Sequence, residues 1–105
     1  MNTKTHKFSL RPNIYFHVKD WMIHKLKLNG SLLTTFAFIF DCSCNQLKVE
    51  EEDLCNIFAI EPRTARYRFK KLYDKGYIQR EKKSSEIASK YVYWIDVDKI
   101  YKLVF

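Results

Sequence analysis

EEEDLCNIFAIEPRTARYRFKKLYDKGYIQREKK, residues 50–83, decides the fold of this 105-residue chain. Its four opening acids, Glu50 to Asp53, suit the positive end of a helix dipole. Leu54, Ile57 and Phe58 then give a helix over 50–58 its buried face. A turn follows at Ala59 to Glu61. Pro62 fits the first turn of the next helix, where its missing N–H breaks no bond. Ala65, Phe69 and Leu72 recur at i, i+4 and i+7 and define one apolar stripe. Arg63, Thr64, Arg66, Tyr67, Arg68, Lys70 and Lys71 occupy the remaining surface of that helix. Lys75-Gly76 ends it, with Gly76 suited to the left-handed cap position. Tyr77 to Arg80 reads as a strand, Glu81 to Ser89 as a polar connection, and Tyr91 to Ile95 as the return strand of a hairpin.

The flanking residues supply the remaining elements. Residues 1–13 are polar and basic and contain Pro12, which predicts a flexible arm ahead of a domain over 14–105. Ile14 to Val18 is a β-rich run that predicts a short strand. Asp20 can cap a helix beginning at Trp21, with Met22, Ile23 and Leu26 on its apolar side. Asn29-Gly30 breaks that segment, and Ser31 can cap a second helix through about Phe40. Leu32, Leu33, Phe36, Ile39 and Phe40 repeat at helical spacing, as a central core helix requires. Cys42 to Gln46 reads as a loop and Leu47 to Val49 as a short strand. Asp96-Val97-Asp98 can start a last helix with Ile100, Leu103 and Val104 on one side. The sum is an α+β chain: a winged helix-turn-helix with a three-helix core and a small antiparallel β-hairpin wing.

Composition fits one packed domain. The chain is 47% hydrophobic and 16% aromatic, with two Gly and two Pro, which argues against disorder. The N-terminus lacks the apolar core of a signal peptide. The apolar run Leu32 to Phe40 is interrupted by Thr34 and Thr35 and is too short to span a bilayer. A cytoplasmic location and no membrane partner are therefore expected. The three cysteines, Cys42, Cys44 and Cys55, are an odd number, so they cannot all pair within the chain. Reduced, partly buried thiols are the expected state, and Cys42-Ser43-Cys44 lacks zinc-ligand spacing.

Charge is unevenly placed. Of the net +7, residues 62–90 hold ten Lys and Arg against three acids, whereas residues 41–61 hold one Lys against six acids. The whole excess could be supplied by the basic helix and the hairpin alone. Such an excess favours a polyanionic partner.

The segment Trp21 to Lys83 resembles the winged-helix domains at the N-termini of phage and plasmid replication initiators and primosomal helicase-loading proteins. The shared features are Trp21-Met22, the step Leu26-Lys27-Leu28-Asn29-Gly30, and the apolar run Leu32 to Phe40. They continue with Leu54, the pair Arg63-Thr64, and the ending Leu72-Tyr73-Asp74-Lys75-Gly76-Tyr77-Ile78. The chain departs from that pattern at Ala59, where a Gly is usual, and at Glu61, where Ser or Thr is usual. The resemblance implies a winged-helix fold and a role in replication. The Arg-Thr and Gly-Tyr-Ile parts are shared with gene-regulatory winged helices.

The expected function is sequence-specific or structure-specific binding of double-stranded DNA, in phage or mobile-element replication initiation or in transcription regulation. Arg63, Thr64, Arg66, Tyr67, Arg68, Lys70 and Lys71 would meet the DNA, with Lys82 and Lys83 as wing contacts. The bland reading is a solvated helix face, but no acid interrupts the cations between Arg63 and Tyr73. A protein–protein interaction module without direct DNA binding is the alternative, and Glu50 to Asp53 favours it by placing acids where a phosphate backbone would pass. The aromatic residues read as core rather than as a stacking platform. A second copy of the chain and a replication or transcription protein are further candidate partners. His6, His17 and His24 lie apart from any nucleophile or paired carboxylate, so no enzyme activity, metal or cofactor is expected.

Overall fold

A computed structural model describes residues 16–83 and 90–105 of the chain. Seven elements run in the order α1 (Asp20–His24), α2 (Gly30–Cys44), α3 (Glu51–Phe58), α4 (Pro62–Asp74), β1 (Gln79–Lys82), β2 (Tyr91–Trp94) and α5 (Val97–Val104). The expected arm over residues 1–13, the start of the expected first strand and the hairpin connection over residues 84–89 lie outside the described residues.

Helix α2 is the central element because its sequence leaves it no polar side over its middle. Phe36, Ala37, Phe38, Ile39 and Phe40 are all buried in succession, as a helix surrounded by other elements must be. Trp21 of α1 packs edge-on against Phe36 and Phe40 from one side. Phe16 meets Phe38 and Phe58 from another, and α4 and β2 cover the rest. Together α2, α3 and α4 form the three-helix core, and β1 pairs with β2 antiparallel as the hairpin. The architecture is α+β with a winged-helix arrangement.

Local chemistry sets the ends of α3 and α4. The Asp53 carboxylate accepts the Glu50 N–H at 2.8 Å and fixes the start of α3. Its end is Ala59, held left-handed at φ 55°, where the Ile60 N–H reaches back to the Cys55 carbonyl at 3.2 Å. Pro62 opens α4. Gly76, at φ 82°, closes it, with the Tyr77 N–H donating to the Leu72 carbonyl at 3.1 Å in a Schellman cap.

The hairpin is fastened to the helices by three means. The Tyr93 ring stacks on Phe69 of α4 at 3.7 Å and an interplanar angle of 6°. The Val49 N–H donates to the Tyr93 carbonyl and the Tyr93 N–H to the Val49 carbonyl, each at 2.8 Å. The Ile95 N–H donates to the Ser43 hydroxyl at 2.8 Å.

Several sequence expectations are corrected. Helix α2 runs on to Cys44, so Cys42 to Cys44 is helical rather than loop, because Cys42 is buried and Ser43 holds Ile95. Asn29, not Ser31, is the residue at the start of α2. Lys19 precedes α1, and Asp20 is its first helical residue rather than its cap. The strand expected over Leu47 to Val49 shrinks to a single bridge at Val49. Phe16 to Val18 is not a strand; Phe16 is used for aromatic packing instead. Strand β1 begins at Gln79, since Tyr77 and Ile78 still belong to the descent from α4. On α5, Ile100 and Val104 are buried but Leu103 is 61% exposed, because only a narrow i, i+4 stripe faces the core.

Candidate nucleic-acid interface

At 100° per residue, Ala65, Phe69 and Leu72 fix the inner side of α4, and all three are buried. Arg63, Tyr67, Lys70, Lys71 and Asp74 therefore project from the opposite side. Thr64 and Arg68 fall on the flank beside α2, whereas Arg66 and Tyr73 fall on the flank beside α3 and the hairpin.

The structure divides the expected contact residues into three groups. Arg63, Thr64, Tyr67 and Lys71 stand in solvent and form no ion pair with the described residues. Tyr67 is 57% exposed, and the Lys71 ammonium lies 5.8 Å from its ring centre. Arg66, Lys70 and Lys83 are each matched to a carboxylate. Arg66 meets Glu51 at 3.1 Å, Lys70 meets Asp74 at 2.9 Å and Lys83 meets Glu50 at 3.0 Å. Arg68 turns inward. Its guanidinium donates to the hydroxyl of the fully buried Thr35 at 3.2 Å and lies 5.4 Å from the centre of the Phe58 ring. Lys82, on β1, is exposed and has no ion pair among the described residues.

Between the start of α3, the inner flank of α4 and the hairpin lies a groove of about 720 Å³. Arg80 is its least expected feature. The guanidinium is held between two rings, 4.0 Å from the centre of Tyr73 and 4.4 Å from that of Tyr91. Burial pushes the Tyr93 hydroxyl above its usual range, with the Arg80 charge acting against that shift. Composition and spacing alone give Arg80 no role beyond the end of a strand. The available signal was its position on β1 opposite a tyrosine on β2, Arg80 facing Tyr93.

The cysteines are free: Cys42 is buried, Cys44 exposed and Cys55 half-buried. Partial desolvation of the sulfur, reinforced by Asp41, pushes the thiol of the otherwise exposed Cys44 up. Burial, reinforced by Glu51 and Glu52, does the same to Cys55. Both stay protonated at neutral pH, which disfavours a nucleophilic role. Among the described residues, no three His, Cys, Asp or Glu side chains gather as a metal site, and no helix is long and apolar enough to cross a membrane.

Comparison with solved structures finds the same fold. The chain is similar to a winged-helix protein whose structure is titled "Crystal Structure of MarR", with a TM-score of 0.54 and 17% sequence identity. The match covers 77% of this chain and 60% of that one. No protein-family model matches the sequence, and no curated protein matches it. The fold is thus a winged helix-turn-helix.

Proposed function

We propose that this chain binds double-stranded DNA through the outer face of α4, with the hairpin as a flanking contact. The role would lie in transcription regulation, or in replication initiation of a phage or mobile element. One observation carries the reading: Arg63, Thr64, Tyr67 and Lys71 form an exposed stripe on the helix that winged-helix proteins lay in a major groove. Arg can fork to guanine there, while Thr, Tyr and Lys suit phosphates and flanking edges. Lys82 extends the same positive surface to the hairpin. Likeness in fold to MarR supports a DNA-binding regulator. The replication reading rests on the motif resemblance between Trp21 and Lys83.

Arg66, Lys70 and Lys83 belong to the proposed contact set but must trade carboxylates for phosphates to join it. Arg68 serves the fold first and can offer only its remaining N–H groups. The decisive variant is therefore Arg63→Ala with Lys71→Ala rather than a change at Arg66 and Arg68.

Fluorescence anisotropy with a mixed-sequence duplex at low and moderate salt tests the proposal. The double variant should bind roughly tenfold more weakly at low salt, and its log–log salt slope should be shallower by about 0.9, for the one phosphate contact that Lys71 supplies. Absence of wild-type binding at low salt would reject DNA as the partner and favour a protein-interaction module, for which the acids of α3 offer a face.

A further inference from the structure

The acids Glu50 to Asp53 do not act as one patch. Asp53 is buried and is spent on the helix start, where it accepts the Glu50 N–H. Glu52 is exposed. Glu50 and Glu51 each reach across to a different element, Glu50 to Lys83 just beyond β1 and Glu51 to Arg66 on α4.

Stability does not account for these two crossings. The Arg66 and Glu51 side chains are 60% and 39% exposed, and those of Lys83 and Glu50 are 47% and 33% exposed. Water screens pairs of that kind, and they contribute little to folding. Their consequence is local charge. Of the cations expected to meet DNA, two, Arg66 on α4 and Lys83 at the hairpin, are matched to carboxylates from outside those elements. The outward stripe of Arg63 and Lys71 has no such partner among the described residues.

We infer that Glu50 and Glu51 are selectivity residues for the DNA contact proposed above, and the inference rests on that reading. A cation already matched to a carboxylate brings an anion to the phosphate it approaches. It therefore releases less of the condensed counterion atmosphere that drives sequence-independent binding. Glu50 and Glu51 thus subtract Lys83 and Arg66 from the general attraction for DNA. Base-facing residues on the outer stripe keep their full effect, so the ratio of specific to non-specific binding rises.

The test compares wild type with the Glu50→Gln, Glu51→Gln double variant on the same mixed-sequence duplex. Glutamine keeps the shape and the carbonyl acceptor. The variant should bind more tightly at about 50 mM salt, and this advantage should shrink about tenfold by about 200 mM, as two additional released counterions require. Glu51→Gln alone leaves the Glu50 position untouched and should show about half the change in salt slope. A double-mutant cycle then separates pairing from net charge. In an Arg66→Gln background, the gain from Glu51→Gln should fall at least threefold, and Lys83→Gln should do the same to Glu50→Gln.

Equal gains with and without Arg66 and Lys83 would overturn the inference, because net charge alone would then explain them. So would a double variant that binds no better than wild type. If wild type binds and Arg63→Ala with Lys71→Ala weakens that binding as predicted above, such a result removes the selectivity role and leaves DNA binding standing. If neither wild type nor the glutamine variant binds at 50 mM, both readings fall.

Discussion

Ala59 holds a backbone conformation that its side chain opposes. At φ 55° and ψ 51° it is left-handed, where a Cβ crowds the following carbonyl. The motif resemblance expects Gly at this place, so the chain keeps the turn and loses the residue best fitted to it. Ala59→Gly should relieve that strain against a smaller loss of chain entropy, raising stability by about 0.5–1 kcal/mol. A higher urea midpoint at unchanged m would show it; a midpoint unchanged or lower would mean that the neighbouring packing absorbs the strain already. Glu61, the other departure, precedes α4 and makes no side-chain cap. It is exposed, leaving its charge beside the Arg63 end of the helix.

At the scale of an element, α4 serves two purposes on different sides. Arg68 ties its flank to the buried Thr35 of α2 and to the Phe58 ring at the end of α3. Removing a charged donor from a buried acceptor costs about 1–3 kcal/mol, so Arg68→Ala should lower the urea midpoint clearly. Arg63→Ala, on the solvent side, should change stability by less than about 0.5 kcal/mol. Equal effects of the two substitutions would show that Arg68 has no structural part. The boundaries of α4 were legible because Pro62 and Gly76 punctuate the chain locally, and Ala65, Phe69 and Leu72 mark its inner side. The far end of α2 was not, since Cys42-Ser43-Cys44 carries no strong helix signal and is held by the long-range bond from Ile95 to Ser43. The helix face was likewise readable, but the division among its cations was not. Lys70 and Asp74 are an i, i+4 pair open to inspection in the sequence. The Arg66–Glu51 and Lys83–Glu50 partners become neighbours only when separate elements fold together.

For the whole molecule, the paired backbone bonds between Val49 and Tyr93 have a kinetic meaning. They close a loop holding nearly half the chain, whereas α2, α3 and α4 succeed one another with short connections. Loop closure must be met before such a distant contact stabilises anything. The helices should therefore assemble first and the hairpin dock last. In pulse-labelled hydrogen exchange during refolding, the Phe69 and Leu72 amides should gain protection before those of Val49 and Tyr93. Simultaneous protection would remove this order. A chain caught midway would then present α4 with its basic stripe already formed, while the groove beside it and the partnership of Lys83 with Glu50 had yet to exist. The surface would pass through a stage of indiscriminate attraction for polyanions before its own fold restrained it.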